Sequence, residues 1–292
     1  MKLKVGIDSY CYHRLFGEVY PGQRQPEKLM TMEDFLERAK AMGVDGVSLE
    51  SCFFPSYDDG YFKDLKAQLD EYGFDRVYAW GHPDGLERGQ NPAAFEGLED
   101  SLMASIPRAK LLGADVLRVV GSSLMFRHEP TGPQIKALAA QFKEAMKVAN
   151  DYGVKLAVEN HIDYNGDEIL QMIELVDNKD FGVNFDTGNF LRLLDDPIAA
   201  MEKLAPYVFA THIKDLVPHP HARPTDWFFF AGVPVGRGLI DNYKLAEILK
   251  KHNYQGLLAV EIDCPHPDWE NCEDEAVSIS VKALRDIADK LG

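Results

Sequence analysis

One rhythm repeats eight times along the chain: a short β-rich run ending in polar residues, then an amphipathic stretch rich in Ala, Leu, Glu and Lys. Strands joined through helices, not tight turns, belong to a parallel sheet. The runs fall at residues 5–10, 46–51, 76–81, 116–121, 155–161, 181–186, 208–215 and 256–263. Between them lie helical patterns such as 32–42, whose apolar residues recur at three and four and which stops at Gly43. The same punctuation returns at Gly73, Gly113, Gly153 and Gly182. Over 292 residues this gives about 36 per unit, enough for one strand, one helix and two short loops. The expected fold is therefore α/β, a single (β/α)8 TIM barrel spanning residues 1–292. No linker rich in Pro, Gly or Ser divides the chain. The longest irregular stretch, 216–239, carries the aromatic run Trp227-Phe228-Phe229-Phe230. It follows a strand, so in a barrel it overhangs the face where active sites form.

Composition excludes several function classes. Lys and Arg number 31 against 47 Asp and Glu, a formal net charge of −16 that repels phosphate backbones and anionic lipid. Neither nucleic acid nor membrane is expected as a partner. No apolar run approaches the roughly 18 residues of a membrane span, and the first residues meet an acid before any signal-like apolar run. A cytoplasmic location follows as the expectation. Four cysteines lack any Cys-x-x-Cys spacing, so neither a structural zinc site nor a disulfide framework is expected.

Side chains alternate across a strand, so in a closed barrel one parity faces the axis and the other the helices. In 155–161, Leu156 and Val158 oppose Ala157, Glu159 and His161. In 181–186, Phe181, Val183 and Phe185 oppose Gly182, Asn184 and Asp186. In 208–214, Ala210, His212 and Lys214 share the face opposite Phe209, Thr211 and Ile213. In the last strand Ala259, Glu261 and Asp263 oppose Leu258, Val260 and Ile262. Each of the four strands thus carries an acid or imidazole near its carboxyl end, on the inward parity, two residues after an alanine in three of them and four after Gly182 in the other. Any one of these could be a wetted strand end. Together, Glu159, Asp186, His212 and Glu261 predict a shared site of three carboxylates and one imidazole, with a formal charge of −3 that calls for a cation. Mostly hard oxygen ligands suit Mn2+ first, then Mg2+, with Co2+ or Zn2+ as further candidates.

At these residues the sequence resembles the xylose-isomerase-like TIM-barrel superfamily, which holds sugar isomerases, ketose 3-epimerases, inosose dehydratases and endonuclease IV-type enzymes. The matching pieces are residues 158–161 (VENH), 184–189 (NFDTGN), 211–215 (THIKD), 234–238 (PVGRG) and 260–263 (VEID). The resemblance implies that Glu159, Asp186, His212 and Glu261 hold one divalent metal, and that Glu159 and Glu261 double as acid/base carboxylates. Two positions depart from the pattern. Asn189 stands where the endonuclease-type members and ketose 3-epimerases carry a histidine, and Pro218 where the epimerases carry an arginine.

Such a site would chelate a keto-sugar or sugar phosphate, polarise its carbonyl and stabilise the enediolate left when the α-proton departs. Returning the proton to the other face is epimerisation; returning it to the neighbouring carbon is isomerisation. Loss of a β-substituent is elimination. The leading expectation is an isomerase or epimerase, with a lyase acting on an oxidised sugar or cyclitol as the alternative. A sugar-binding barrel without catalysis has no need of the paired carboxylates, and charge and Asn189 speak against a nuclease. Glu50, His82, His161, Lys214 and Arg237 are the candidate substrate contacts, Arg237 through a glycine pair that could seat an anion. Arg118 needs a buried partner such as Glu159. The aromatic run is expected to meet a partner subunit or a second copy of the chain, with cover over a bulky substrate as the alternative.

Overall fold

The computed structural model describes residues 2–20, 23–81, 86, 89–94, 100–223 and 229–292. Candidate His82 and the aromatic residues Trp227 and Phe228 lie outside them. Eight parallel strands close on themselves: β1 (Lys4–Asp8), β2 (Gly46–Glu50), β3 (Asp75–Ala79), β4 (Val116–Val120), β5 (Lys155–Glu159), β6 (Phe181–Asp186), β7 (Val208–Ile213) and β10 (Leu257–Val260), with β1 paired to both β2 and β10. The expected barrel is the observed one. Each strand starts and stops within a few residues of the sequence reading, because the alternation that marks it ends where the chain turns polar.

One parity of each strand supplies the layer under the helices. Val5 and Ile7, Val47 and Leu49, Leu156 and Val158, and Val183 and Phe185 are fully buried there. Small residues on the other parity keep the barrel narrow. Gly182 is one of them: a Cβ at that position would run into the Tyr207 carbonyl of the neighbouring chain segment. The glycines read as helix stops thus divide by function. Gly43, Gly73, Gly113 and Gly153 adopt φ of 65–80° beyond helix ends, where a side chain is strained. Gly182 lies inside β6 and answers to close backbone approach instead.

The stretch read as irregular contains structure. Asp215–Pro218 (β8) pairs antiparallel with Phe230–Val233 (β9), a small ribbon beyond the carboxyl end of β7. Its sequence has too short an alternation, and too many prolines between its arms, to announce itself. Within the aromatic run, Phe230 packs against the core whereas Phe229 stays half exposed. Among the described residues no helix is long and apolar enough to cross a membrane.

Candidate metal centre

Strand register assembles the site. Asp186 on β6 is the direct partner of His212 on β7, and His212 is the partner of Ala259 on β10, two residues before Glu261. Glu159 on β5 sits opposite Asn184, two residues before Asp186. The four predicted ligands therefore meet at the carboxyl end of the barrel, all buried, with one donor atom from each lying within 4.8 Å of the others.

The neighbours of each are specific. Nδ1 of His212 lies 3.4 Å from Oε1 of Glu159 and 3.0 Å from Oε2 of Glu261, while Nε2 faces Oδ2 of Asp8 at 3.4 Å. Oδ1 of Asp186 caps the helix Thr187–Arg192, accepting from the N–H groups of Gly188 (2.8 Å) and Asn189 (2.9 Å). Asn160 clamps the Asp186 backbone by donating to its carbonyl and accepting from its N–H, both at 2.9 Å. Capping and clamp leave Oδ2 of Asp186 aimed at the cluster. Oδ2 of Asp186, Oε2 of Glu159, Oε2 of Glu261 and both ring nitrogens of His212 are buried with charged neighbours but no aligned hydrogen bond among the described residues. Buried polar atoms ordinarily find such partners. A set of orphaned carboxylate oxygens and one imidazole is what a divalent cation would satisfy, so the residues present fit one.

Electrostatics bear on the same point. Burial disfavours charge on His212, yet the Glu261 and Glu159 carboxylates hold its pKa well above the usual imidazole range. Burial likewise opposes ionisation of Glu261, but His212 and Lys214 beside it bring it down to about 2. Glu159 is held well below the usual carboxylate range, burial being outweighed chiefly by Arg118. Asp186 goes the other way, pushed up to about 7 by burial that the Lys214 ammonium only partly offsets. With no cation present, the proton on His212 and partial protonation of Asp186 offset part of the cluster's negative charge, and a metal would have to displace those protons.

Above the cluster opens a cavity of about 370 Å³ whose walls include Glu50, Arg118, Glu159, His161, Asn189, Arg192, Lys214, Glu261 and Asp263. A larger hollow at the opposite end of the barrel, near Asp115 and Lys179, holds none of the clustered residues. Lys214 reaches the cluster directly, with Nζ 2.8 Å from Asp186 and 3.1 Å from Glu261, and also lies 3.1 Å from Asp263. His161 is exposed at the cavity wall, with its backbone N–H held by Asp163 at 2.9 Å. Glu50 is buried against Arg118, whose Nε lies 3.0 Å from Oε2 of Glu159, the partner expected from sequence.

Arg237 is a correction. It is exposed and absent from the cavity wall, and the amides of Gly236 and Gly238 on either side of it already donate to Oδ2 of Asp215 at 2.9 Å each. The anion seated by this glycine pair is the chain's own carboxylate, so the segment is a turn. Two groups escaped the sequence reading. Asp8 ends β1 two residues after Gly6, the same parity pattern of a small residue and then a polar one that marks Glu159, His212 and Glu261. Arg192 forms a bidentate pair with Asp263, at 3.0 and 2.8 Å, and comes from a helix where no strand parity could flag it.

Residues 36–287 match the xylose isomerase-like TIM barrel family. The chain belongs to that family. Among curated relatives, inosose dehydratase from Clostridium beijerinckii is 26% identical over 172 residues, 54% of this chain and 55% of its own. The 3-oxo-isoapionate decarboxylase of Pectobacterium atrosepticum is 26% identical over 153 residues, 52% of this chain and 53% of its own. The chain thus spans about half the length of the curated relatives it matches. Of solved folds, a zinc-bound IolI protein superposes with a TM-score of 0.74 at 17% identity, covering 99% of both chains. Enzymes of this xylose isomerase-like family thus include dehydratases and a decarboxylase among the relatives of this chain.

Proposed function

We propose that the protein is a divalent-metal-dependent isomerase or epimerase of a keto-sugar, with Glu159, Asp186, His212 and Glu261 as metal ligands and Mn2+ as the preferred ion. The observation that carries this reading is the convergence of Glu159 and Glu261 on one imidazole nitrogen, at 3.4 and 3.0 Å. Two carboxylates that close bear on the same substrate atoms. The bound cation would polarise a carbonyl and stabilise negative charge on its oxygen. Glu261, ionised and open to the cavity, takes the proton from the carbon beside the carbonyl. Glu159 serves the opposite face, and its proton affinity is restrained by Arg118. Lys214 steadies a substrate oxygen, and His161 is placed to contact a hydroxyl. Asp8 faces Nε2 of His212 at 3.4 Å, on the side of the ring away from the ligand cluster, and its charge favours the orientation that turns Nδ1 toward that cluster.

A lyase acting on an oxidised sugar or cyclitol is the second reading, favoured because the curated relatives include dehydratases and a decarboxylase. Both begin with the same proton removal and part at the next step. Incubating the metal-loaded protein with keto-sugars and inososes in D2O separates them by mass spectrometry. A product of conserved composition that has gained deuterium supports the isomerase or epimerase. Loss of water or another fragment transfers the proposal to the lyase, and no deuterium gain or product with any of these compounds refutes both.

A further inference from the structure

We propose that Asp163 is a positioning residue of the cavity: it locks the turn after β5, so that Ile162 is held in a left-handed conformation and His161 is held at the cavity wall. The role of His161 rests on the reading above, in which it contacts a substrate hydroxyl. The locking of the turn stands on the structure alone.

Among the described residues, Ile162 is the only β-branched one with a positive φ, at 61°. Branching at Cβ makes the left-handed region costly, so this conformation persists only where the surroundings over-determine it. Ile162 and His161 both line the cavity, where a small displacement of the wall changes its fit to a ligand. Asp163 supplies the constraint. It is buried, and its two oxygens take three backbone N–H groups: Oδ1 accepts from His161 at 2.9 Å and from Tyr164 at 2.8 Å, and Oδ2 from Ser122 at 3.1 Å. The first two donors lie on either side of Ile162, so one oxygen pins both flanks of the strained residue. The third comes from the segment after β4 and ties the turn to the neighbouring strand of the barrel. Other groups brace the far side. Arg127 donates to the Asp163 carbonyl at 3.2 Å, and the Tyr164 hydroxyl donates to Oε1 of Gln134 at 3.0 Å. Among the described residues no cation pairs with the Asp163 carboxylate, so the amides alone satisfy it. An asparagine cannot take its place, because the NH2 group would face either the Ser122 N–H or the other two, donor against donor. The turn would then relax, and Ile162 and His161 would move with it.

A double-mutant cycle tests the lock without any substrate. Urea midpoints of the metal-free protein are measured at pH 8.5, because burial pushes the Asp163 carboxyl up to about 7 and the carboxylate must be ionised. In wild type, the loss caused by Asp163→Asn is offset in part by the strain it releases. With Ile162→Gly in place there is no strain to release, so Asp163→Asn should lower the midpoint further in that background than in wild type. Equal shifts overturn the proposal. Should Asp163→Asn not fold, amide exchange of the wild type decides: the N–H groups of Ser122, His161 and Tyr164 should open together with similar protection, and independent opening overturns the proposal. The positioning of His161 is read from the kinetics of metal-loaded protein on any ketone of the panel above that it turns over. Asp163→Asn should raise KM about five-fold or more with little change in kcat or metal content, and by less than about two-fold once His161→Ala is present. An undiminished effect in the His161→Ala background overturns the positioning role. If the stability cycle holds and no ketone is turned over, it is the keto-sugar reading that fails.

Discussion

Arg118→Met removes the one cation that holds Glu159 from the β4 side. The methionine fills much of the same space, so the change is chiefly one of charge. Arg118, Glu50 and Glu159 are each at most 5% exposed, and water cannot replace the lost guanidinium. Burial pushes the Glu50 carboxyl up even with Arg118 beside it, so Glu50 can take a proton at little expense. Glu159 cannot, and its stranded charge sets the magnitude. Breaking one buried pair typically costs about 3–5 kcal/mol. At roughly 2 °C per kcal/mol for a chain this long, the metal-free variant should melt about 6–10 °C below wild type at pH 7. The sign with pH follows from Glu159, whose folded pKa is depressed. Its contribution is fully present above the unfolded value of about 4.5 and is lost as pH falls below it. The gap between variant and wild type should therefore narrow between pH 5 and pH 3. Urea unfolding with EDTA at pH 7, 5 and 3.5 measures it, and added Mn2+ should restore more stability to the variant than it adds to wild type. A loss under about 1 kcal/mol at pH 7, or a loss independent of pH, refutes the argument.

Three other outcomes are expected. One divalent ion per chain should bind and raise the melting temperature, by about 2.7 kcal/mol of stability at a hundred times its Kd, more tightly as pH rises because His212 and Asp186 must shed protons; elemental analysis and titration calorimetry check this, with Asp186→Asn as the weakened control. Glu261→Gln should lower turnover about 10²–10⁴-fold while circular dichroism stays native, since the amide keeps the shape but accepts no proton; a metal-loaded variant with near wild-type rate would remove Glu261 from the proton transfer. Gly182→Ala should destabilise by at least about 2 kcal/mol in urea unfolding, because its Cβ meets backbone that cannot step aside.

The barrel was legible because a strand with one face under helices and one face toward an axis writes a period of two, and eight such runs separated by helical periods leave few alternatives. The buried cluster was legible by the same rule: Glu159, Asp186, His212 and Glu261 break the apolar pattern on one parity only, near strand ends. Asp8 followed the rule too, two residues after Gly6, and the sequence reading passed over it. Everything that depends on which distant groups meet was left to the tertiary structure. Asp263 looks like one more inward acid until Arg192, arriving from a helix, takes both its oxygens. Arg237 looks like an anion site until Asp215 fills the amides beside it. Local pattern determines which way a side chain points, because that is fixed by the backbone within a few residues. Whether a charge so placed is free for a ligand or already spent on a neighbour depends on residues far along the chain, brought within about 3 Å by barrel closure for Asp263 and by the β8–β9 ribbon for Asp215.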